Sequence, residues 1–348
     1  MMVTRRQLGT LALPALTAAR MVAKPNSNFG GVMIGAITYS FRSLPGSAEE
    51  TLKYCVECGI SGVELMNNVA ESYAGAPLPV MRPMGAGGPP QARPGGPGGP
   101  PAGGPPGGGP GGPGGRFQAT PEQIAARKKA AAELSAWRTS ASMDKYKEFR
   151  KMYEDAGVKI YCFKLPPTLE MPEAEYDYIW NVAETLGANH ITMELPTNDE
   201  LLARVAAYAA KRKLAIAFHT HGQGGASGFD KVLSASKYTA LNFDVGHYFG
   251  VNGESPVPLI EKYSSRIASL HLKDRKGPSP NPAGGAPIGG ANMPWGQGGT
   301  PLKEVLQLMK AKKYSFPASI EYEYQTPEGS DVLAEMKKCV QYCKAALA

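Results

Sequence analysis

The sequence predicts a single (β/α)8 barrel, in which eight parallel strands form a closed sheet inside a ring of helices. Strand-length apolar segments alternate with helix-length amphipathic segments along the chain, and eight strands can be counted. Strict alternation implies a parallel sheet joined by right-handed crossovers. Polar residues also collect where the strands end, and that face carries the active site of such barrels.

Each predicted strand is a short run of apolar residues, many of them β-branched or aromatic. The eight strands are Val32–Tyr39, Gly62–Met66, Lys159–Lys164, His190–Glu194, Leu214–His219, Leu241–Asp244, Ile267–His271 and Ala318–Glu321. Glycines such as Gly59, Gly157 and Gly187 mark helix ends, because glycine readily adopts the left-handed conformation found there. Helices are predicted over 47–58, 121–137, 144–156, 173–186, 199–211, 229–235, 256–263, 302–311 and 331–346.

Two segments differ from the barrel in composition. Residues 1–28 contain the pair Arg5–Arg6 and the mildly apolar run Leu8–Ala19. This pattern predicts a twin-arginine export signal with a linker, and a periplasmic or otherwise exported protein; a chance arginine pair is the alternative. Residues 75–118 interrupt the barrel after its second strand, and 26 of the 31 residues in Gly85–Gly115 are glycine or proline. Such a segment has little to bury, so we expect a disordered insertion in a barrel formed by 29–348.

Composition excludes two classes of partner. The formal net charge is +7, but no dense basic run with interleaved aromatics appears, so nucleic-acid binding is not indicated. No segment is long and apolar enough to span a bilayer as a helix. The five cysteines include two pairs on predicted helices, Cys55 with Cys58 and Cys339 with Cys343. Burial as small residues is favoured over a redox pair or a zinc site.

Acids and imidazoles recur at the ends of the later strands. The sixth strand ends in Asp244-Val-Gly-His247, and the others end in Glu194, His219 with His221, His271 and Glu321. Carboxylates and neutral imidazoles are good ligands for divalent metals. Because side chains alternate along a strand, these groups are expected to converge on one mouth of the barrel.

Three phrases carry a family resemblance: LNFDVGH at Leu241–His247, SLHLKDR at Ser269–Arg275 and SIEYE at Ser319–Glu323. With the order of elements, they resemble the xylose isomerase-like barrel superfamily over most of residues 30–346. That group holds sugar isomerases and epimerases, inosose dehydratases and endonuclease IV. The motifs are therefore specific for the superfamily and poor at identifying the substrate.

The resemblance implies one divalent metal held by a Glu, an Asp, a His and a Glu at the ends of strands five to eight. Asp244, His271 and Glu321 match the last three positions, but His219 stands where the first Glu is expected. Dehydratase-like members also carry histidines there, with an acid on the preceding strand. Glu194 is therefore the predicted fourth ligand, and His219 is the contender. A mostly oxygen donor set suits Mn²⁺ or Mg²⁺, with Zn²⁺ or Co²⁺ as alternatives.

Proton transfer is predicted to involve the same mouth. In the epimerases that the chain resembles, the two end glutamates bind metal and also shuttle protons, which implies catalytic roles for Glu194 and Glu321. Since one of the two positions is altered, His219 or His247 is a further candidate base, and His221 is another.

Four other residues are candidates for substrate contact beside His221. Lys164 and Glu64 lie at strand ends and could instead form a salt bridge at the rim. Lys273 lies on the same side of its strand as His271 and suits an oxyanion. Trp295 follows in the long 276–301 loop, where it could lie over a sugar ring or pack against the rim of the barrel.

The predicted activity is that of a metal-dependent sugar isomerase or epimerase acting on a small carbohydrate by proton abstraction next to a carbonyl. The alternative is a lyase or dehydratase that begins with the same step and then expels a β-substituent from a 3-keto-glycoside or an inosose. A repair endonuclease is disfavoured, because Asp274-Arg-Lys replaces the Asp-x-His expected after the seventh strand. A non-catalytic sugar-binding barrel is the remaining class. A homo-oligomer is expected by analogy with relatives.

Overall fold

The computed structural model describes residues 24–78, 120–221, 225–281 and 288–348. Residues 1–23 of the predicted export signal and linker lie outside the described residues. The predicted insertion also lies outside them, apart from residues 75–78 at its start. None of the helices in the described part of the chain is long and apolar enough to cross a membrane.

Eight parallel strands form the closed barrel that the sequence predicts. They are β1 Val32–Ile37, β2 Gly62–Met66, β3 Lys159–Lys164, β4 His190–Glu194, β5 Ala215–His219, β6 Thr239–Asp244, β7 Ile267–Leu272 and β8 Ala318–Ile320. Each strand pairs with its sequence neighbour, and β8 pairs with β1 to close the sheet. All these pairings are parallel, so the carboxyl ends of the strands meet at one mouth.

Eleven helices are seen within the described ranges, mostly between the strands. They are α1 Ala48–Glu57, α2 Asn67–Tyr73, α3 Pro121–Ser140, α4 Asp144–Asp155, α5 Glu173–Leu186, α6 Asp199–Arg212, α7 Ala226–Ser234, α8 Val245–Asn252, α9 Val257–Tyr263, α10 Leu302–Lys312 and α11 Val332–Ala346. Their apolar faces pack on the barrel and form one continuous core. Burying this apolar area is the main force that holds the fold together.

The sequence did not predict two helices, α2 and α8. Each begins directly after a strand, with no intervening loop to mark the change. In α8 the last residue of β6, Asp244, is also the N-cap, because its side chain accepts a hydrogen bond from the His247 amide. The helix contains Gly246 and Gly250, which lower its intrinsic propensity, so capping and tertiary packing decide its conformation.

The interior of the barrel is filled by polar as well as apolar side chains. Near its base, Tyr161 crosses the barrel and pairs with Ser319 through their hydroxyl groups. Gly35 makes room for it, since a Cβ at that position would lie 2.3 Å from the tyrosine oxygen. Above this layer, Glu64, Thr192 and Asn242 are fully buried and joined by hydrogen bonds. They form the floor beneath the mouth.

Candidate active site

Four side chains from adjacent strands converge at the mouth of the barrel. They are His219 from β5, Asp244 from β6, His271 from β7 and Glu321 directly after β8, and one ligating atom from each lies within 4.8 Å of all the others. Strand pairing explains the convergence, because Asp244 stands opposite His271 and His271 opposite Ser319 in the parallel register. All four are buried.

The two oxygens of the Asp244 carboxylate have different partners. Its Oδ1 accepts a hydrogen bond from the His247 amide at 2.7 Å. Its Oδ2 is buried without a hydrogen bond of acceptable geometry, although Lys273 Nζ lies 3.0 Å away. His219 Nε2 and His247 Nε2 each lie 3.9 Å from the same oxygen. This buried oxygen faces the Lys273 ammonium without accepting a hydrogen bond from the described residues, and a carboxylate oxygen placed in this way is suited to bind a cation.

Lys273 is a buried ammonium shared by several carboxylates. Its Nζ lies 2.8 Å from Glu321 Oε2 and 2.8 Å from Glu323 Oε2, in addition to Asp244. Burial alone would lower the pKa of Lys273, but the carboxylates outweigh it and raise the pKa. Gly246 lets the chain pass closely, since a Cβ there would lie 2.3 Å from the Lys273 carbonyl oxygen. Lys273 therefore holds the carboxylates of the mouth together.

His271 bridges two carboxylates at the centre of the site. Its Nε2 lies 2.8 Å from Glu64 Oε2 and its Nδ1 lies 2.7 Å from Glu321 Oε2. Burial lowers the pKa of His271, but the two carboxylates dominate and raise it to about 10. For the carboxyl group of Glu64, burial acts in the other direction and raises the pKa. The interaction with His271 outweighs burial and lowers the pKa to about 2. Glu64 thus lies beneath the imidazole and not at the rim.

His219 is neutral and has a defined tautomer. Its Nδ1 lies 2.7 Å from Asn242 Oδ1. The Asn242 amide nitrogen donates to Glu64 and to Ser269, so the oxygen must face the histidine. His219 therefore carries its proton on Nδ1, and Nε2 is the nitrogen that faces Asp244. Burial, reinforced by the charge of Lys164, lowers the pKa of His219 well below its usual value.

Glu194 lies outside the group of four and forms a cluster at the rim. Its Oε2 lies 2.7 Å from His221 Nε2, and its Oε1 lies 3.0 Å from Lys164 Nζ. Burial raises the pKa of Glu194, but His221 and Lys164 outweigh it and lower the pKa below its usual range. The ring of His221 stands 4.6 Å from that of His219, so this cluster lies directly beside the four converging groups.

His247 is fixed by an arginine from the segment after β7. The Arg275 guanidinium donates to its Nδ1, so the ring carries its proton on Nε2. Burial, with the charge of Lys273, lowers the pKa of His247 well below its usual value. His219, His221 and His247 also have nitrogens within 4.8 Å of one another. This second group is less suited to a metal. A metal on His247 Nε2 would require the ring proton to move to Nδ1, and Nδ1 already accepts a hydrogen bond from Arg275.

Trp295 lies in the loop after β7 and packs against α11. Its ring meets that of Tyr342 edge-on, with centroids 5.6 Å apart. This placement agrees with packing on the rim, the alternative that the sequence left open.

The five cysteines are all buried and free.

One residue of the site, Asn242, escaped sequence reasoning, although it lies two residues before Asp244 and strand alternation could have found it. The same alternation places Glu323 on the side of its strand that carries Glu321. Arg275 gives no local signal, because its contact with His247 depends on the path of the loop after β7. A short pairing of Asp274–Arg275 with Asn292–Met293 sets that path.

Comparison with known proteins gives a consistent picture. The family model described as xylose isomerase-like TIM barrel matches residues 124–343. A search of curated sequences finds no match. Among solved structures, a probable 3-DHS dehydratase from Bacillus anthracis has a TM-score of 0.53 at 13% identity, covering 88% of this chain and 98% of its own. A 3-keto-D-glucoside 4-epimerase from E. coli has a TM-score of 0.53 at 9% identity, with 90% and 99% covered.

A third solved structure, a sugar phosphate isomerase/epimerase from Parabacteroides distasonis, has a TM-score of 0.52 at 16% identity, with 90% and 96% covered. At these identities the three structures establish the fold and leave the chemistry open. The family model spans more than half of the chain, and its fold is the one observed. The chain therefore belongs to the xylose isomerase-like TIM barrel family.

Proposed function

We propose that the chain is a divalent-metal-dependent isomerase or epimerase that removes a proton next to the carbonyl group of a carbohydrate. The observation that carries this proposal is the convergence of His219, Asp244, His271 and Glu321. The structural neighbours described as epimerase, isomerase/epimerase and dehydratase support chemistry of this kind at the mouth.

The residues present fit a divalent cation. They offer two carboxylates and two imidazoles, and Asp244 Oδ2 is a buried oxygen that lacks a hydrogen bond. With His219 as the fourth ligand in place of Glu194, this donor set favours Mn²⁺, Zn²⁺ or Co²⁺ over Mg²⁺, which prefers oxygen. When bound, such an ion polarises a sugar carbonyl and stabilises the negative charge that develops on its oxygen.

The rim cluster is suited to accept the proton. Glu194 is hydrogen-bonded to His221 Nε2, so the carboxylate orients the imidazole ring for proton transfer. Lys164 favours the ionised form of Glu194. Glu321 is less suited to this role, because Lys273 and His271 hold its pKa well below the usual value. His247 offers the Nε2 proton as a donor to a substrate oxygen.

A lyase is the second candidate, and one observation favours it. His219 replaces a glutamate of the epimerase pattern, which leaves Glu321 as the one glutamate in the converging group. Epimerisation needs proton transfer on two faces of the substrate, whereas elimination needs one base and a leaving group. The export expected from residues 1–28 also favours glycosides over phosphorylated sugars.

Isotope exchange separates the candidates. Protein treated with chelator and then reloaded with Mn²⁺ or Zn²⁺ is incubated in D₂O with free ketoses or with 3-keto-glycosides. We expect deuterium to enter next to the carbonyl only in the metal-loaded protein. Exchange without release of the aglycone supports the isomerase or epimerase, and release supports the lyase.

The matched variants are Glu321→Gln and Glu148→Gln. Glu321→Gln removes one carboxylate of the converging group, so turnover should fall by at least about 100-fold. Glu148 lies on the outer helix α4 in an exposed ion pair with Lys145, and its variant should retain activity. Exchange that survives complete removal of metal, or that is equal in both variants, rejects the proposal.

A further inference from the structure

We propose that Glu64 is a positioning residue that fixes His271 for metal binding through Nδ1. This inference rests on the proposed metal site and concerns a residue that lies below it. Glu64 comes from β2, on the far side of the barrel from β7, and 207 positions separate it from His271 in the chain. It is fully buried and lies against the Nε2 side of the His271 ring.

The contacts of Glu64 leave one orientation for its carboxylate. Oε1 accepts a hydrogen bond from the Thr192 hydroxyl at 2.9 Å. Oε2 accepts from the Asn242 amide at 3.2 Å and lies 2.8 Å from His271 Nε2. An ionised carboxylate only accepts, so without a metal both ring nitrogens carry a proton, Nε2 towards Glu64 and Nδ1 towards Glu321. Glu321 belongs to the converging group and Glu64 does not, so a cation would take the place of the proton on Nδ1 and leave Nε2 donating to Glu64.

The buried residues Asn242 and Glu64 also fix the tautomer of His219, whose proton lies on Nδ1. Asn242 accepts from its Nδ1 while donating to Glu64, so one amide connects the two imidazoles. The result is that His219 faces the mouth with Nε2 and His271 with Nδ1. A carboxylate behind a ligating imidazole fixes its ring and increases its basicity, and loss of such a group typically weakens metal binding about 10–100-fold.

The first test measures metal affinity without turnover. Zn²⁺ is titrated into the metal-free protein in competition with a chromophoric chelator. Glu64→Gln keeps the shape of the side chain but removes its charge, and we expect binding to weaken about 10–100-fold. Thr192→Val is the matched control, since it disturbs the same carboxylate without touching an imidazole, and its loss should be much smaller. Equal losses in the two variants indicate a merely structural role and overturn the proposal.

The second test needs no substitution and remains decisive if Glu64→Gln fails to fold. Long-range ¹H–¹⁵N spectra of the Zn²⁺-loaded, ¹⁵N-histidine-labelled protein report the tautomer of each imidazole. We expect His271 protonated at Nε2 with zinc on Nδ1, and His219 protonated at Nδ1. The reverse arrangement at His271 overturns the role of Glu64 and leaves the metal site intact. Absence of zinc binding by the unmutated protein overturns the proposed function as well.

Discussion

At the scale of single residues, the polar side chains inside the barrel differ in how burial is compensated. Glu64 and His271 form a buried ion pair, and this pairing keeps both side chains charged. His190 lies deeper in the barrel, where Ser269 is its hydrogen-bond partner. Burial lowers the pKa of His190 to about 4, and the opposing effect of Glu64 is too small to restore it. His190 is the one histidine outside the mouth, and it is neutral at ordinary pH.

This leads to a prediction about pH. The unfolded state protonates His190 near its usual pKa of about 6.5, whereas the folded state does so near 4. Between these values the unfolded state binds more protons, so the free energy of unfolding falls as pH falls, by up to about 1.4 kcal/mol per pH unit. We expect His190→Asn to lose the contribution of His190 to this dependence, while His219 and His247, whose pKa values are also lowered, keep theirs. Urea unfolding of both proteins at several pH values between 7 and 4 measures it, and parallel curves would contradict it.

At the scale of elements, the loop after β7 is organised by one carboxylate. Asp274 Oδ2 accepts hydrogen bonds from the amides of Gly296 and Gly298, and its Oδ1 accepts one from the amide of Thr300. Gly298 fits only because it has no side chain, since a Cβ there would lie 2.2 Å from Asp274 Oδ1. This arrangement places Arg275 against His247, so a loop determines the tautomer of a residue at the mouth.

We predict that Asp274→Asn loosens this loop. The amide keeps one accepting oxygen, and its NH₂ group faces backbone donors, so stability should fall by roughly 1–3 kcal/mol. Limited proteolysis should cleave the 274–300 segment faster. Asp331→Asn is the matched control, because Asp331 caps α11 by accepting one hydrogen bond from Ala334 and asparagine is an equally good cap. Equal behaviour of the two variants would show that the loop is held by other contacts.

At the scale of the whole molecule, a buried ion cluster joins three helices of the outer layer. Arg138 of α3 binds Glu71 of α2 at 2.7 Å and Glu175 of α5 at 3.1 Å. The Tyr178 hydroxyl donates to Glu71 as well. These contacts attach α3, most of which is exposed, to the two helices beside it. These contacts join helices of the outer layer, so we expect them to serve the fold.

Removing Arg138 should therefore affect stability more than chemistry. Arg138→Met leaves two buried carboxylates without a cation, and we expect a loss of about 3–5 kcal/mol in the free energy of unfolding. Lys145→Met breaks an exposed ion pair with Glu148 and should cost less than about 1 kcal/mol. Chemical denaturation provides the comparison. Similar losses in both variants would mean that the buried cluster is not a structural clamp.

The amino-acid sequence determined the eight strands, most of the helices and the face on which polar side chains gather, because hydrophobic period and strand ends are local signals. It also placed Asp244, His271 and Glu321 at matching strand ends. The sequence left Glu194 and His219 as alternatives for the fourth position. The tertiary structure brings His219 into the group, leaves Glu194 with Lys164 and His221, and sets Glu64 beneath His271. The physical reason is that barrel closure and strand register fix distances between residues far apart in the chain, and no local pattern encodes those distances.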